Sequence, residues 1–165
     1  MRLLNGVLGV LLIALLATAA YVAVRGPAED PGAVPAAAVS REYDDITTAA
    51  RQETEAFLTV DYKHMDPTVN RVLAGATGQF KKEYRKAEVK LRSDARQTRA
   101  TSRGKVRAVG IGDLGGGSAT VYIAADGTVS NDNNGHKPQP RHYRLQLNMT
   151  KVGGRWLTAD LRSVS

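Results

Sequence analysis

Two groups of side chains have the composition to do chemistry. Asp61, Tyr62, His64 and Asp66 bring two carboxylates, a phenol and an imidazole into one short stretch. A buried carboxylate beside an imidazole can be tuned toward neutral pH for proton transfer. A structural role accounts for the same residues. Asp66-Pro67 suits a helix start, the carboxylate capping free amides and the proline taking the first helical position. Asp61 and His64 then fall near the end of the preceding helix, facing water. The second group is His136 and His142, which flank a proline-containing loop with Asp132 nearby. Their spacing matches no standard zinc pattern, and no third strong ligand is evident.

Other chemistries are excluded more simply. The chain has no cysteine, which removes a thiolate metal site, a cysteine nucleophile and a disulfide framework. There is no G-x-S-x-G elbow, and Gly115-Gly116-Gly117 lacks the following Lys-Ser/Thr of a phosphate loop, so it reads as a turn. Asn148-Met149-Thr150 is formally a glycosylation sequon but sits in a core-facing strand. This reading assigns no catalytic, cofactor-binding or metal-binding residue, and it expects a protein that works by binding, without a cofactor.

Charge is the feature that remains. Between positions 81 and 107 stand eleven Lys and Arg against Glu83, Glu88 and Asp94, a local balance of +8 in a chain of net charge +7. On a helical wheel Lys81, Arg85, Arg92, Arg96 and Arg99 cluster within about 60°. An anionic surface, either lipid headgroups or an acidic partner, would gain by approaching such a stripe. A plain solvated helix face is the competing explanation. Nucleic acid fits poorly, because no aromatic residue interleaves the basic side for base stacking.

The elements that must position these residues divide the chain by hydrophobic period. Helical spacing comes first. Tyr43, Ile46, Ala50 and Phe57 mark one face of a long helix, with no Gly or Pro from Arg41 to Met65. Val69, Val72, Leu73 and Ala76 mark a second helix. Thr77 is placed to cap a third, whose core face is Phe80, Tyr84, Ala87, Leu91 and Ala95. Strand spacing follows: Val106 to Ile111, Ser118 to Ala125, then Tyr143, Leu145, Leu147 and Met149 in strict alternation, and Trp156 to Leu161. On the last run Trp156 and Leu157 offer opposite facings, and the sequence does not choose between them. The sum is an α+β domain, three helices packed on one face of a curved antiparallel sheet of about four strands.

Ahead of this domain, residues 1–24 include an apolar run from Leu3 to Val24. At about 1.5 Å per residue it is long enough to cross a bilayer as one helix. A cleaved signal peptide is the rival, since Ala17-Thr18-Ala19 has the small-x-small form of a cleavage site, but the run continues past it. Arg2 and the amino terminus favour a cytoplasmic start. Residues 25–40, RGPAEDPGAVPAAAVS, read as a semi-rigid Pro/Ala linker. The expectation is a single-pass protein of the cytoplasmic membrane carrying residues 41–165 outside the cytoplasm.

The strings TVDYKHMD (59–66), RVLAGATGQF (71–80), QPRHYRLQLNM (139–149) and VGGRWLTADL (152–161), behind a membrane helix and a tether, resemble the Mce-associated membrane proteins of actinobacteria. The resemblance implies an NTF2-like or cystatin-like cone, a bent sheet wrapping a long helix. It also implies an accessory or scaffold role beside Mce complexes, which import lipids or sterols. The protein subunits of such a complex would be the partners, and the resemblance brings no catalytic residues. The helix-then-sheet order is similar to VirB8-like scaffold domains of conjugation and secretion machines. A third reading is an NTF2-like isomerase resembling ketosteroid isomerases, for which Asp160 is the acid on a late strand that could enter a pocket.

Overall fold

The computed structural model describes residues 35–164. The expected membrane helix over 1–24, and the linker up to residue 34, lie outside the described residues. Helix α1, Ala36–Phe57, begins directly after Pro35. It takes in the alanine run at 36–38, a strong helix former, so the last five residues assigned to the linker are helical.

The first helix was expected to run toward Met65 and stops earlier. Thr59 and Val60 are β-branched, and Val60–Asp61 leaves the helix as a short strand, β1, paired antiparallel with Thr101 and Ser102. Helix α2 is Met65–Gly75. Asp66 and Pro67 are thus its second and third residues rather than cap and first position, and proline is tolerated there because first-turn amides have no intrahelical acceptor. Helix α3 is Gly78–Gln97. Thr77 stands at its N-cap, but its hydroxyl makes no capping bond. Its backbone N–H instead donates to the Thr158 carbonyl at 2.8 Å, tying the α2–α3 corner to the sheet.

The long strands are β2 (Thr101–Gly115), β3 (Ser118–Ser130), β4 (Gln139–Val152) and β5 (Arg155–Ser163). With β1 they form one antiparallel sheet of five strands in sequence order. The fifth strand, beyond the four expected, is β1. Gly116-Gly117 and Gly153-Gly154 close two hairpins, each glycine at positive φ, the conformation that two-residue type I′ turns demand and other residues resist. Register shifts at Val106/Ala108, Ile111/Asp113 and Asn148/Met149 mark bulges that bend the sheet.

The bent face holds α1. Ile46, Ala50 and Leu58 pack against Val121, Ile123, Leu145, Leu147, Met149 and Trp156. The bulge on β5 explains why that strand offered two facings: Met149 pairs with Thr158 but Asn148 with Asp160, so the inward positions pass from Trp156 and Thr158 to Leu161. A second cluster joins α1, α2 and α3 through Ala56, Val72, Ala76 and Phe80. There Phe57, Phe80 and Tyr84 meet at ring separations of 5.9 to 6.4 Å.

β1 covers only the start of β2. Farther along that open edge, α1 side chains take the place of a strand. Arg51 Nη1 donates to the Val106 carbonyl at 3.0 Å, and the Val106 N–H donates to Glu55 Oε1 at 3.1 Å.

Candidate functional site

The buried stripe of α1 includes one acid. Ile46, Ala50, Glu53, Thr54 and Phe57 recur at helical spacing, and Glu53 is only 4% exposed. Its Oε1 has no hydrogen-bond partner among the described residues. Burial pushes its carboxyl up to about 8, because the charged form loses hydration that nothing restores. At neutral pH the group is mostly a protonated acid, able to donate one hydrogen bond. The space it occupies exists because α2 ends in Gly75, where a β-carbon would overlap the carboxylate.

Glu53 lines a cleft of about 780 Å³, between α1, the C-terminal end of α2 and the start of β5. Asp44 and Asp45 line it from α1, Arg71 from α2 and Trp156 from β5. Trp156 is buried with its Nε1 unpartnered among the described residues, as are the hydroxyls of Thr54 and Thr158. The Lys151 ammonium lies 5.6 Å from the Trp156 ring centre and pairs with Glu42 at 3.0 Å. Tyr84 of α3 has its phenol raised by burial and, secondarily, by the nearby Glu53 carboxyl.

Glu53 is the residue that reading for motifs misses. The available signal is an ionisable side chain on an otherwise apolar stripe, a position that carries a desolvation cost. Asp160, the acid proposed for an isomerase pocket, lies on the other face of β5. It pairs with Arg162 Nη2 at 2.8 Å and accepts from the Asn148 amide at 3.3 Å.

The basic stripe divides. Arg92 is turned inward, its side chain 22% exposed, with Nε 3.1 Å from Asp66 of α2 and Nη1 3.5 Å from Glu88. Arg99 lies past the end of α3 at a φ of 51°, and its Nε is 2.9 Å from Asp132. Both hold elements together. Lys81, Arg85 and Arg96 form no ion pair among the described residues, and Val89, 72% exposed, lies beside them on the helix.

The histidines separate into pairs with different acids. His64 Nδ1 is 2.8 Å from Asp61, His142 Nδ1 is 2.8 Å from Asp126, and His136 Nε2 is 2.6 Å from Asp132. His136 and Asp132 do come together, while His142 belongs to a different pair. The hydrogen bonds from His64 and the Lys63 N–H hold Asp61 below its ordinary value, and those from His142 and Arg107 do the same for Asp126. All of these groups lie at the surface.

A bent antiparallel sheet closed over one long helix, with two further helices beside it, gives an α+β domain with an NTF2-like, VirB8-like fold. The chain belongs to the family described as "Uncharacterized protein Rv1363c/MT1408-like", which matches residues 10–164. A relative from Mycobacterium tuberculosis, uncharacterized protein Rv1363c, is 27% identical over 119 residues, covering 72% of this chain and 45% of that protein. The chain thus matches less than half the length of that relative. Among solved structures, an IcmL-like type IV secretion system protein from Legionella pneumophila superposes with a TM-score of 0.59 at 14% identity, over 75% of this chain and 91% of the other. VirB8 from Agrobacterium tumefaciens gives 0.58 at 11% identity, over 75% and 92%. A ketosteroid isomerase-like protein from Erwinia carotovora atroseptica gives 0.51 at 19% identity, over 75% and 97%. At these identities the likeness is one of fold.

Proposed function

We propose that this domain is a scaffold subunit of a multiprotein assembly of the cell envelope, held at the membrane by the apolar segment at 1–24, with residues 41–165 outside the cytoplasm. The observation that carries the reading is the extent of the fold likeness to VirB8 and to the IcmL-like secretion protein, three-quarters of this chain and nine-tenths of theirs. These matches favour a VirB8-like role over the Mce-type lipid importer. The Mce reading rests on the sequence resemblance and gains no support from the family or fold matches. In either assembly the work is binding, and the stripe cations left unpaired on α3 among the described residues, Lys81, Arg85 and Arg96, with exposed Val89 beside them, are the proposed contact with an acidic partner or anionic headgroups.

The test is photo-crosslinking from position 89, the exposed valine beside the stripe, in native membranes, followed by identification of the captured chains. Recovery of secretion-channel subunits supports the VirB8-like role, and recovery of Mce proteins favours the alternative. Reversing Lys81, Arg85 and Arg96 to Glu should abolish the adduct. A chain that leaves gently solubilised membranes alone and monomeric, with no adduct, removes the scaffold reading.

A further inference from the structure

The Glu53 cleft has a property that scaffolding does not use. A carboxyl oxygen of a residue nine-tenths buried has no partner among the described residues, and leaving such a group unsatisfied is costly. Gly75 gives up its side chain to the same space. The chain's other cations near this end are engaged elsewhere: Lys105 with Glu55 at 3.3 Å, and Arg51 with the Val106 carbonyl. Arg155 Nη2 reaches the Ala74 carbonyl at 3.4 Å. Arg71 lines the cleft but makes no ion pair with Glu53. In a protein of net charge +7, this cleft gathers Asp44 and Asp45 outside a buried acid.

We propose that the cleft is a receptor for one ammonium or guanidinium group on an aliphatic stem, which enters past Asp44 and Asp45 and pairs with Glu53. Ala49, Ala56 and the Trp156 ring supply apolar wall for the stem. The cation pairs with the Glu53 carboxylate and offsets the hydration that burial removed. Pairing ionises the acid, so binding releases one proton from Glu53. The titratable groups that face it are Asp44, Asp45 and Glu55 on its own helix, Arg71 from α2, Tyr84 from α3 and Arg155 from β5. A free polyamine and a lysine or arginine side chain of a partner protein share this chemistry. The proposal does not depend on which assembly the domain serves.

The chain contains one tryptophan, and it lines the cleft, so its emission reports occupancy directly. The purified full chain is titrated with n-butylammonium, with butyrate as the opposite charge, and calorimetry in two buffers of different ionisation enthalpy counts protons. Butylammonium should give a saturable change in emission with proton release near neutral pH, and butyrate none. Glu53→Gln keeps the shape and should weaken binding by roughly tenfold or more, with the far-ultraviolet dichroism unchanged. Should that variant fail to fold, Asp44→Asn with Asp45→Asn leaves the interior intact and should weaken binding several-fold. Spermidine binding tighter than a tripeptide with a central lysine assigns a free polyamine, and the reverse order assigns a partner's side chain. No saturable response to butylammonium, an equal response in Glu53→Gln, or tighter binding of butyrate overturns the proposal.

Discussion

Gly75 and Glu53 claim the same volume. The last residue of α2 closes on α1 so tightly that any β-carbon there would overlap the Glu53 carboxylate. Gly75→Ala is therefore expected to destabilise the domain by about 1–3 kcal/mol through overpacking. In a Glu53→Ala background the same change should be neutral or stabilising, since alanine is the better helix former. A double-mutant cycle by urea unfolding measures the coupling. Additive effects would show that the two residues do not compete.

The raised carboxyl of Glu53 makes stability depend on pH. The folded chain holds this proton up to about 8, against 4.5 for an ordinary glutamate, so between those values the folded state binds more protons than the unfolded one. Stability from this group is full below 4.5, declines as the pH rises, and levels off above about 8. The loss is on the order of a few kcal/mol. Glu53→Gln should flatten that decline in denaturant midpoints measured from pH 4.5 to 8.5, and a slope that persists in the variant would place its origin elsewhere.

Two buried hydroxyls make no hydrogen bond among the described residues. Thr54 and Thr158 are fully buried with Oγ1 unpartnered, and valine has nearly the same shape without the polar atom. Thr54→Val and Thr158→Val are each expected to stabilise by about 1 kcal/mol, read as a rise in melting temperature. A fall for either would reveal a partner, such as an internal water, for that hydroxyl.

Residues of the basic stripe should separate by assay. Arg92→Ala breaks contacts to Asp66 and Glu88 and is expected to cost about 1 kcal/mol of stability. Arg85→Ala and Arg96→Ala should stay within about 0.5 kcal/mol of the parent. Crosslinking yield should follow the opposite ranking. Equal stability losses at 85, 92 and 96 would contradict this division of labour.

The strands were legible because alternation and turn chemistry agreed, as at Tyr143 to Met149 and at the two Gly-Gly turns. Helix ends were less so. The β-branched Thr59-Val60 is the one weak local mark of the break after Phe57, and the strand that follows depends on β1 pairing with residues some forty positions on. Ala87, counted on the core face of α3, is exposed, whereas Tyr84 and Ala95 are turned inward. Burial on α3 centres nearer the basic stripe than the wheel indicated, which brings Arg92 against α2. The facing of β5 was undecidable because a bulge changes the inward parity midway. Glu53 was visible as a residue but not as a site, since its cleft needs Gly75 and Trp156 from distant parts of the chain.

The side chains of Arg51 and Glu55 that answer the Val106 carbonyl and amide have a consequence at high local concentration. A bare strand border invites a neighbouring molecule to zip onto it and propagate into aggregates. Here a helix stands guard over the middle of that border and kinks at Arg107 and Gly112 interrupt its rhythm, so the domain can sit among many copies of itself without polymerising along that margin.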